Sequence, residues 1–429
     1  MGRTQICRLL IAYCFLLSAF CLLLSACCLL LCFNMTKDRR LPISLMLVAG
    51  EPSGDAHGAD LARALFEASG DSPLEIFGAT GPLMRAAGVE SVIQSDDLHI
   101  MGILEVGRVL PKFWNAFKAL KQAALERRPD AVILVDWPEF NLRLARSLHR
   151  RGLKTIYYIS PQLWAWRSYR LRTIQRDVDL LLAILPFEEE WYVSRGVNHV
   201  EFVGHPLAGE VYARYDRAEF CRRAKLDSKL PIISLLPGSR RKELERILPP
   251  MLEAAALISA RRPEVQFVVV VAPSRTSQEV RDIMRAQRAK PFPLPSCLHI
   301  VSESSREVLA ASDVAAIASG TATLEAAILG TPMVIVYKES AINWHTLGRL
   351  ITIDHFGLVN LVAGERVATE LMQDDLNGET LANELLTLLD PQRNREMRRQ
   401  LRDVAQSLGE GGASKRAAAR VLEFLSEGE

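Results

Sequence analysis

The sequence predicts an α/β protein made of two doubly wound domains that face one another across a cleft. Short apolar segments, bounded by Pro, Gly or Asp, alternate with helical segments along most of the chain, which is typical of parallel strands buried on both faces. The alternation lapses once, in the charged segment 207–230, and then resumes. Because 429 residues are too many for one ordinary core, we expect two domains joined by this linker.

The apolar segments define the domain boundaries. Residues 35–206 contain the first series of predicted strands, which are Ile43–Ala49, 74–77, Ala131–Val135, 153–159, 180–185 and 200–203. Residues 231–390 contain the second series, which are Ile232–Leu236, 265–271, 298–301, Val314–Ala318 and 333–336. Residues 391–429 are rich in Arg, Ala and Leu at helical spacing, so we expect terminal helices that pack on the body.

The first 34 residues differ in character from the rest. Residues 9–33 are almost continuously apolar and long enough to cross a bilayer. They are a membrane anchor, a signal peptide, or translated sequence upstream of a start at Met35. We favour a start at Met35, because the first predicted strand begins soon after it. The later chain holds only Cys221 and Cys297, which fits a reducing cytoplasmic compartment.

Composition and motifs exclude several function classes. Apolar residues make up 49% and charged residues 24% of the chain, which is globular, and a net charge of +2 gives no argument for a nucleic-acid partner. The sequence lacks a GxGxxG motif after a strand, a GxxxxGK[ST] loop, HExxH and GxSxG. Neither cysteine has metal-ligand spacing. We therefore expect no metal and no cofactor.

Polar residues follow two predicted strands of the first domain. Ile43–Ala49 runs into the segment 50–55, GEPSGD, before helical spacing begins at His57. This segment is either a ligand-binding loop at the carboxyl edge of the sheet or an ordinary capped turn. Ala131–Val135 runs into Asp136. A carboxylate at the tip of a buried strand is well placed to act as a general base, and an Asx turn before Pro138 is the alternative.

Two predicted strands of the second domain also end in small and polar residues. These residues are Gly238, Ser239 and Arg240 after one strand, and Ser319, Gly320, Thr321, Thr323 and Glu325 after the other. Small residues followed by an arginine at the start of a helix can bind a diphosphate. The alternative is an ordinary charged first turn of a solvent-exposed helix. Glu325 can accept ribose hydroxyls or cap its own helix. Since both loops end at one sheet edge, we expect a nucleotide site there.

One predicted helix, 106–125, combines aromatic residues with lysines. Phe113, Trp114 and Phe117 lie beside Lys112, Lys118 and Lys121. Aromatic side chains enter the headgroup boundary of a membrane while lysines meet anionic lipid. An ordinary amphipathic helix on the sheet explains the same pattern, so both interpretations stay open from this segment alone.

Taken together, these motifs resemble the lipid-A-disaccharide synthase family, glycosyltransferases with the GT-B fold. The matching stretches are LVAGEPSGD at Leu47, GILEVG at Gly102, VDWPEFN at Val135, SPQLWAWR at Ser160, LPFE at Leu185, FVGH at Phe202, LLPGSR at Leu235, ASGTATLE at Ala318 and NLVAG at Asn360. Pro52 replaces a small residue common in the family, and Glu139 stands where the family often has Asp. The apolar segment before Met35 is foreign to the family pattern.

The resemblance implies a reaction. Diacylglucosamine would pass from UDP-2,3-diacylglucosamine to 2,3-diacylglucosamine 1-phosphate, giving a β-1,6-linked lipid A disaccharide 1-phosphate and UDP, with inversion and without a metal. By motif match, Asp136 is the essential carboxylate proposed as base and Glu51 and Ser53 lie near the reaction centre. By the same match, Arg240 and Asn360 correspond to family residues on the side of the site that binds the nucleotide.

The resemblance also bears on location and partners. Because both substrates are lipids, it favours contact of Phe113, Trp114 and Phe117 with the inner-membrane lipid surface, at its cytoplasmic face. A GT-B enzyme acting on soluble sugar nucleotides and a non-catalytic sugar-nucleotide binding protein remain alternatives. The sequence leaves open whether the chain forms a homodimer, and whether residues 1–34 are translated and anchor it.

Overall fold

A computed structural model describes residues 42–70, 72–98, 106–287, 293–302, 304–340 and 354–427. The apolar segment 9–33 and the motif residues 102–105 therefore lie outside the described residues. Within these ranges, each helix is either too short or too polar to cross a bilayer.

The described part of the first domain contains one parallel sheet. Its strands are β1 (Ile43–Ala49), β2 (Leu74–Thr80), β3 (Glu90–Gln94), β4 (Ala131–Val135), β5 (Thr155–Tyr158), β6 (Leu180–Ala183) and β7 (Val200–Phe202). Their order is β3-β2-β1-β4-β5-β6-β7. The winding direction changes between β1 and β4, which are paired with Ala49 opposite Val135. In such sheets this change of direction opens a crevice at the carboxyl ends of the strands.

Helices cover both faces of this sheet. They are α1 (Pro52–Ser69), α2 (Pro82–Ala86), α3 (Val106–Arg127), α4 (Pro138–His149), α5 (Leu171–Asp177) and α6 (Glu188–Val193). Helix α1 begins earlier than the spacing from His57 predicted, so the segment 52–55 is the first helical turn and not a loop. Pro52 fits there because its missing N–H has no helical partner to lose.

The second domain repeats the architecture. Its described strands are β8 (Ile232–Leu236), β9 (Gln266–Val271), β10 (Leu298–Ser302), β11 (Val314–Ala318), β12 (Met333–Tyr337) and β13 (Glu370–Met372), in the parallel order β10-β9-β8-β11-β12-β13. The direction changes between β8 and β11, with Leu236 opposite Ile317. Two doubly wound parallel sheets confirm the predicted fold class.

The remaining helices follow the first sheet in the chain, and most of them pack in the second domain. They are α7 (Arg217–Ala224), α8 (Arg241–Arg261), α9 (Ser277–Gln287), α10 (Ser305–Ala311), α11 (Ala322–Ile328), α12 (Leu358–Ala363), α13 (Gly378–Leu388), α14 (Pro391–Ser407) and α15 (Ala413–Ser426). Helix α7 lies inside the segment 207–230 and buries Phe220 and Cys221 in the core of the second domain. Helix α14 packs on α11 and α12, whereas α15 returns to the first domain and packs on α1.

The chain thus crosses between the domains twice, and the two crossings touch. The backbone N–H of His205 donates to the carbonyl of Leu408 at 2.9 Å. Gly209 and Gly411 pack backbone to backbone, since a Cβ on Gly209 would lie 2.7 Å from the Cα of Gly411. The two crossings therefore pack directly against each other.

Candidate active site

Two carboxylates lie where the first sheet changes direction. Ala49 and Val135 are paired at the ends of β1 and β4; Glu51 lies two residues beyond the first and Asp136 one residue beyond the second. Glu51 is exposed, whereas Asp136 is partly buried. The two carboxylates are close enough for the negative charge of Glu51 to raise the pKa of Asp136. The structure therefore brings together two of the three residues predicted for the reaction centre.

The environment of Asp136 suits a general base. Burial and, after it, the negative charge of Glu51 raise the pKa of its carboxyl from 3.8 to about 6, although a hydrogen bond from the backbone of Trp137 opposes them. A carboxylate with a pKa just below neutrality is ionised at pH 7 and still basic enough to take a proton in a transition state. Asp136 can therefore accept a hydroxyl proton.

The turn that presents Asp136 is strained and firmly held. Asp136 and Trp137 have positive φ angles of 47° and 51°, a conformation that costs non-glycine residues free energy and persists only when neighbours enforce it. The phenol of Tyr157 donates to the carbonyl of Asp136 at 2.6 Å, and the Nδ2 of Asn141 donates to it at 2.8 Å. These two buried donors hold the backbone of Asp136 in this conformation.

Trp137 couples this turn to the end of β1. Its ring stacks on Phe140 with 4.2 Å between centroids and covers Gly50, where a Cβ would lie 2.1 Å from the ring. Glycine at position 50 is therefore required by close approach. The indole therefore packs the end of β4 against the end of β1.

The other residues of the segment 50–55 have different roles. Ser53 is exposed in the first turn of α1, near the end of β1. Asp55 is 4% exposed and accepts hydrogen bonds from the backbone N–H groups of Leu83 and Met84. Asp55 thus caps the start of α2 and is unavailable to a substrate, whereas Ser53 faces solvent.

The second domain has a pocket of about 520 Å³ where its sheet changes direction. The walls are the ends of β8, β9 and β11 and the starts of α8 and α11. Of the predicted nucleotide residues, the lining includes Gly238, Ser239, Arg240, Ser319, Gly320, Thr321 and Glu325. Pockets of this size hold small ligands and cofactors. The loops that follow β8 and β11 thus line one pocket, as the sequence predicted.

Thr323 and Asn360 do not line this pocket. Thr323 is buried and its hydroxyl donates to the carbonyl of Gly320 at 2.8 Å. Asn360 is also buried, and its Nδ2 donates to Glu370, which accepts from the backbone of Phe356 and Gly357. The carbonyl of Phe356 in turn accepts from the hydroxyl of Ser319. Among the residues that the structure describes, Asn360 is thus connected to the pocket wall through the loop at 356–357.

A glutamate that the sequence reasoning missed occupies the start of α8. The carboxylate of Glu243 accepts from the backbone N–H groups of Ser239 and Arg240, at 3.1 and 3.2 Å, and pairs with the Arg240 guanidinium at 3.1 Å. The Arg240 side chain is otherwise 82% exposed. An anion entering the pocket meets an open guanidinium but has to compete with Glu243 for the two N–H groups.

A second missed residue, Arg306, connects the pocket to the crossing between domains. Its Nε donates to Glu325 at 3.1 Å, and its Nη1 donates to the carbonyl of Glu210 at 2.9 Å. Glu325 therefore pairs with an arginine instead of capping its own helix. Glu325 also lines the pocket.

The aromatic residues of α3 separate into exposed and packed ones. Trp114 is 59% exposed and stacks on Phe117, with 6.0 Å between centroids. Phe113 and Phe117 are partly buried and contact the aromatic rings that surround Asp136, with Phe113 lying 5.6 Å from Trp137. The outer face of α3 is thus connected by aromatic contacts to the turn of Asp136.

The motif SPQLWAWR is held by a buried glutamate from the motif LPFE. Glu188 is 1% exposed and accepts from the hydroxyl of Ser160 at 2.6 Å, from the indole of Trp164 at 3.0 Å, and from two backbone N–H groups. Burial raises the pKa of Glu188 and these donors lower it. The two motifs are therefore one structural unit.

Comparisons with known proteins identify the family. The model of the lipid-A-disaccharide synthetase family matches residues 45–423. The lipid-A-disaccharide synthase of Geobacter sulfurreducens is 41% identical over 384 residues, which is 89% of this chain and 97% of the relative. That of Myxococcus xanthus is 41% identical over 388 residues, covering 90% and 99%.

Solved structures resemble the fold at low sequence identity. A putative UDP-N-acetylglucosamine 2-epimerase from Listeria monocytogenes has a TM-score of 0.58 at 15% identity, covering 90% of this chain and 97% of its own. The calicheamicin glycosyltransferase CalG4 has a TM-score of 0.55 at 17% identity, covering 90% and 99%. These likenesses establish the GT-B architecture, and the much closer curated relatives decide the family. The chain belongs to the lipid-A-disaccharide synthase family of glycosyltransferases, which act in lipid A biosynthesis.

Proposed function

We propose that the chain is an inverting glycosyltransferase that joins UDP-2,3-diacylglucosamine to 2,3-diacylglucosamine 1-phosphate. The products are lipid A disaccharide 1-phosphate and UDP. The observation that carries the proposal is Asp136, a carboxylate with a raised pKa fixed at the point where the first sheet changes direction. Family membership supplies the substrates.

The proposed chemistry uses groups from both domains. Asp136 takes the proton of the acceptor's 6-hydroxyl while that oxygen attacks the anomeric carbon of the donor. The bond from the anomeric carbon to the diphosphate breaks, and UDP leaves with the electron pair. The Arg240 guanidinium and the backbone N–H groups at the start of α11 stabilise the negative charge on the diphosphate. Attack from the face opposite the leaving group inverts the anomeric centre.

The pocket of the second domain supports UDP as the donor's nucleotide. Arg240 and Glu325 both line it. We assign the diphosphate to the side of Arg240, Gly238 and Thr321, and the ribose hydroxyls to Glu325. Glu51 and Ser53 are assigned to sugar hydroxyls on the opposite wall, beside Asp136.

Replacing Asp136 with Asn tests the base. Asn keeps the size of the side chain and cannot accept the proton, so we expect loss of disaccharide formation by at least about a hundredfold, with the affinity for UDP within about twofold of wild type. Turnover is measured by mass spectrometry of the lipid product and UDP binding by calorimetry. Full activity of Asp136→Asn would instead favour a non-catalytic binding role for this turn.

We also propose that the outer face of α3 contacts the cytoplasmic face of the inner membrane. Trp114 is exposed with the Lys118 ammonium 5.4 Å from its ring, an arrangement that suits the boundary between anionic headgroups and acyl chains. Trp114→Glu should reduce binding to phosphatidylglycerol vesicles, whereas Tyr212→Glu, at an equally exposed aromatic residue of the linker, should not. Equal binding by both variants would refute this surface.

A further inference from the structure

Three arginines gather around one glutamate next to Asp136. The carboxylate of Glu139 accepts from the guanidinium of Arg167 and, at 2.6 Å, from that of Arg170. Arg143, one turn further along α4, also acts on it. Burial raises the pKa of Glu139, but the hydrogen bond from Arg170 and the three positive charges lower it by more. This group, the arginine cluster, has three positive charges and one negative charge.

The arginine cluster is held in place by the fold. Arg167 has a φ of 56°, a left-handed conformation that is unfavourable for arginine and therefore enforced by its surroundings. Its loop, 160–167, is tied to the first domain by the buried carboxylate of Glu188. Arg170 is only 16% exposed at its side chain.

The arginine cluster lies beside the proposed base. Glu139 is three residues after Asp136, in the first turn of α4. The buried phenol of Tyr157 donates to the backbone of Asp136 and lies within the electrostatic reach of Asp136, Glu139 and Arg170 together. A hexose whose hydroxyl reaches Asp136 can therefore place a substituent from the far side of its ring near these guanidinium groups.

The outer side of the arginine cluster is aromatic. The guanidinium of Arg167 lies 4.0 Å from the ring centroid of Trp166, which is 39% exposed, and Tyr169 is 71% exposed. Glu139 itself is half-exposed, so its carboxylate can turn away when another anion arrives. A doubly negative phosphomonoester offers more acceptor oxygens to two guanidinium groups than a single carboxylate does.

We propose that Arg167 and Arg170 bind the phosphomonoester of the acceptor lipid, with Glu139 as the group that keeps them oriented until the phosphate replaces it. This assignment rests on the proposed function, since it takes the acceptor to be a lipid-linked glucosamine 1-phosphate. It makes these arginines specificity-determining residues, because an acceptor without the phosphate leaves them paired with Glu139. The phosphate of an anionic membrane lipid has similar chemistry, and the experiment separates the two sources.

The test compares two acceptors, diacylglucosamine 1-phosphate and the same lipid without its phosphate, in detergent micelles with the full chain. Wild type should prefer the phosphorylated acceptor by roughly 10- to 100-fold in kcat/KM, as expected for charge-assisted hydrogen bonds. Arg167→Ala and Arg170→Ala should lose most of this preference and retain activity on the unphosphorylated acceptor. Arg151→Ala, an exposed arginine just beyond the far end of α4, is the control with the same change of charge.

The outcomes distinguish the possibilities. If Arg167→Ala and Arg170→Ala lower activity on both acceptors equally, the arginines only support the fold and the assignment is overturned. If the preference is unchanged but binding to phosphatidylglycerol vesicles falls, the ligand is a membrane headgroup and the assignment is again overturned. If wild type yields disaccharide from neither acceptor, the proposed function itself fails.

Discussion

Replacing Glu51 with Gln should shift the pH dependence of the reaction. Burial and, after it, the charge of Glu51 raise the pKa of Asp136 from 3.8 to about 6. Because the ionised form of Asp136 accepts the proton, kcat/KM should rise with pH and level off above about pH 6. Gln keeps the size of Glu51 and removes its charge, so the pKa of Asp136 should fall while the contribution of burial remains.

The magnitude follows from the order of the two causes. Burial is the larger, and Glu51 is exposed to solvent, which screens its charge. Out of a total rise of about two pH units, we expect Glu51 to account for roughly 0.5 to 1 unit. The acid limb of the pH profile should therefore move to lower pH by that amount, even if the loss of contacts between Glu51 and sugar hydroxyls also lowers the plateau of kcat/KM.

The assay is the initial rate of UDP release in detergent micelles, from about pH 4.5 to about pH 8.5. Glu67→Gln is the matched control, because Glu67 lies near the other end of α1 and pairs with Lys415 on the surface. Its profile should overlay that of wild type. An acid limb that stays in place or moves to higher pH in Glu51→Gln would refute the electrostatic coupling of Glu51 and Asp136.

Three other substitutions test the same geometry. Asp136→Asn should stabilise the fold by about 1 to 3 kcal/mol at pH 8, because the raised pKa means that the ionised carboxyl destabilises the folded state above about pH 6. This gain in the free energy of unfolding should vanish below pH 3.8. Unchanged thermal unfolding at pH 8 would contradict the burial of this charge. Gly50→Ala should lower kcat at least about tenfold and alter the near-UV dichroism of Trp137, since the new Cβ would lie 2.1 Å from that ring. Its control is Gly54→Ala, whose Cβ would meet no atom closer than 3.6 Å. Arg240→Ala should weaken UDP binding by roughly 10- to 100-fold in calorimetry, and an unchanged dissociation constant would remove Arg240 from the diphosphate site.

The buried strands were predictable because burial on both faces leaves a continuous apolar run. The bounds of β4, β8 and β11 agree with the prediction to the residue, and all three are fully buried. β3 and β13 were missed, because these edge strands are short or partly exposed and their sequences, ESVIQ and ELM, contain no apolar run. Edge strands are stabilised by pairing with a neighbour, which a local pattern does not reveal.

The site residues that directly follow a central strand could be predicted from the sequence. Asp136 and the loops at Gly238 and Ser319 follow central strands, so the topology brings each of them to a point where a sheet changes direction. The partners of these residues were not predictable in the same way. Arg306 and Glu325 are brought together by the packing of α10 on α11, and a motif match cannot indicate that Asn360 is buried behind the pocket wall.

The most direct test of the account is the product itself. The full chain is incubated with UDP-2,3-diacylglucosamine and 2,3-diacylglucosamine 1-phosphate, and the lipid is analysed by mass spectrometry and by the proton coupling constant at the new anomeric centre. We predict one UDP released per disaccharide monophosphate, with a β linkage and no product in Asp136→Asn. Formation of an α linkage, or an equal yield of disaccharide in Asp136→Asn, would contradict inverting transfer with Asp136 as the base.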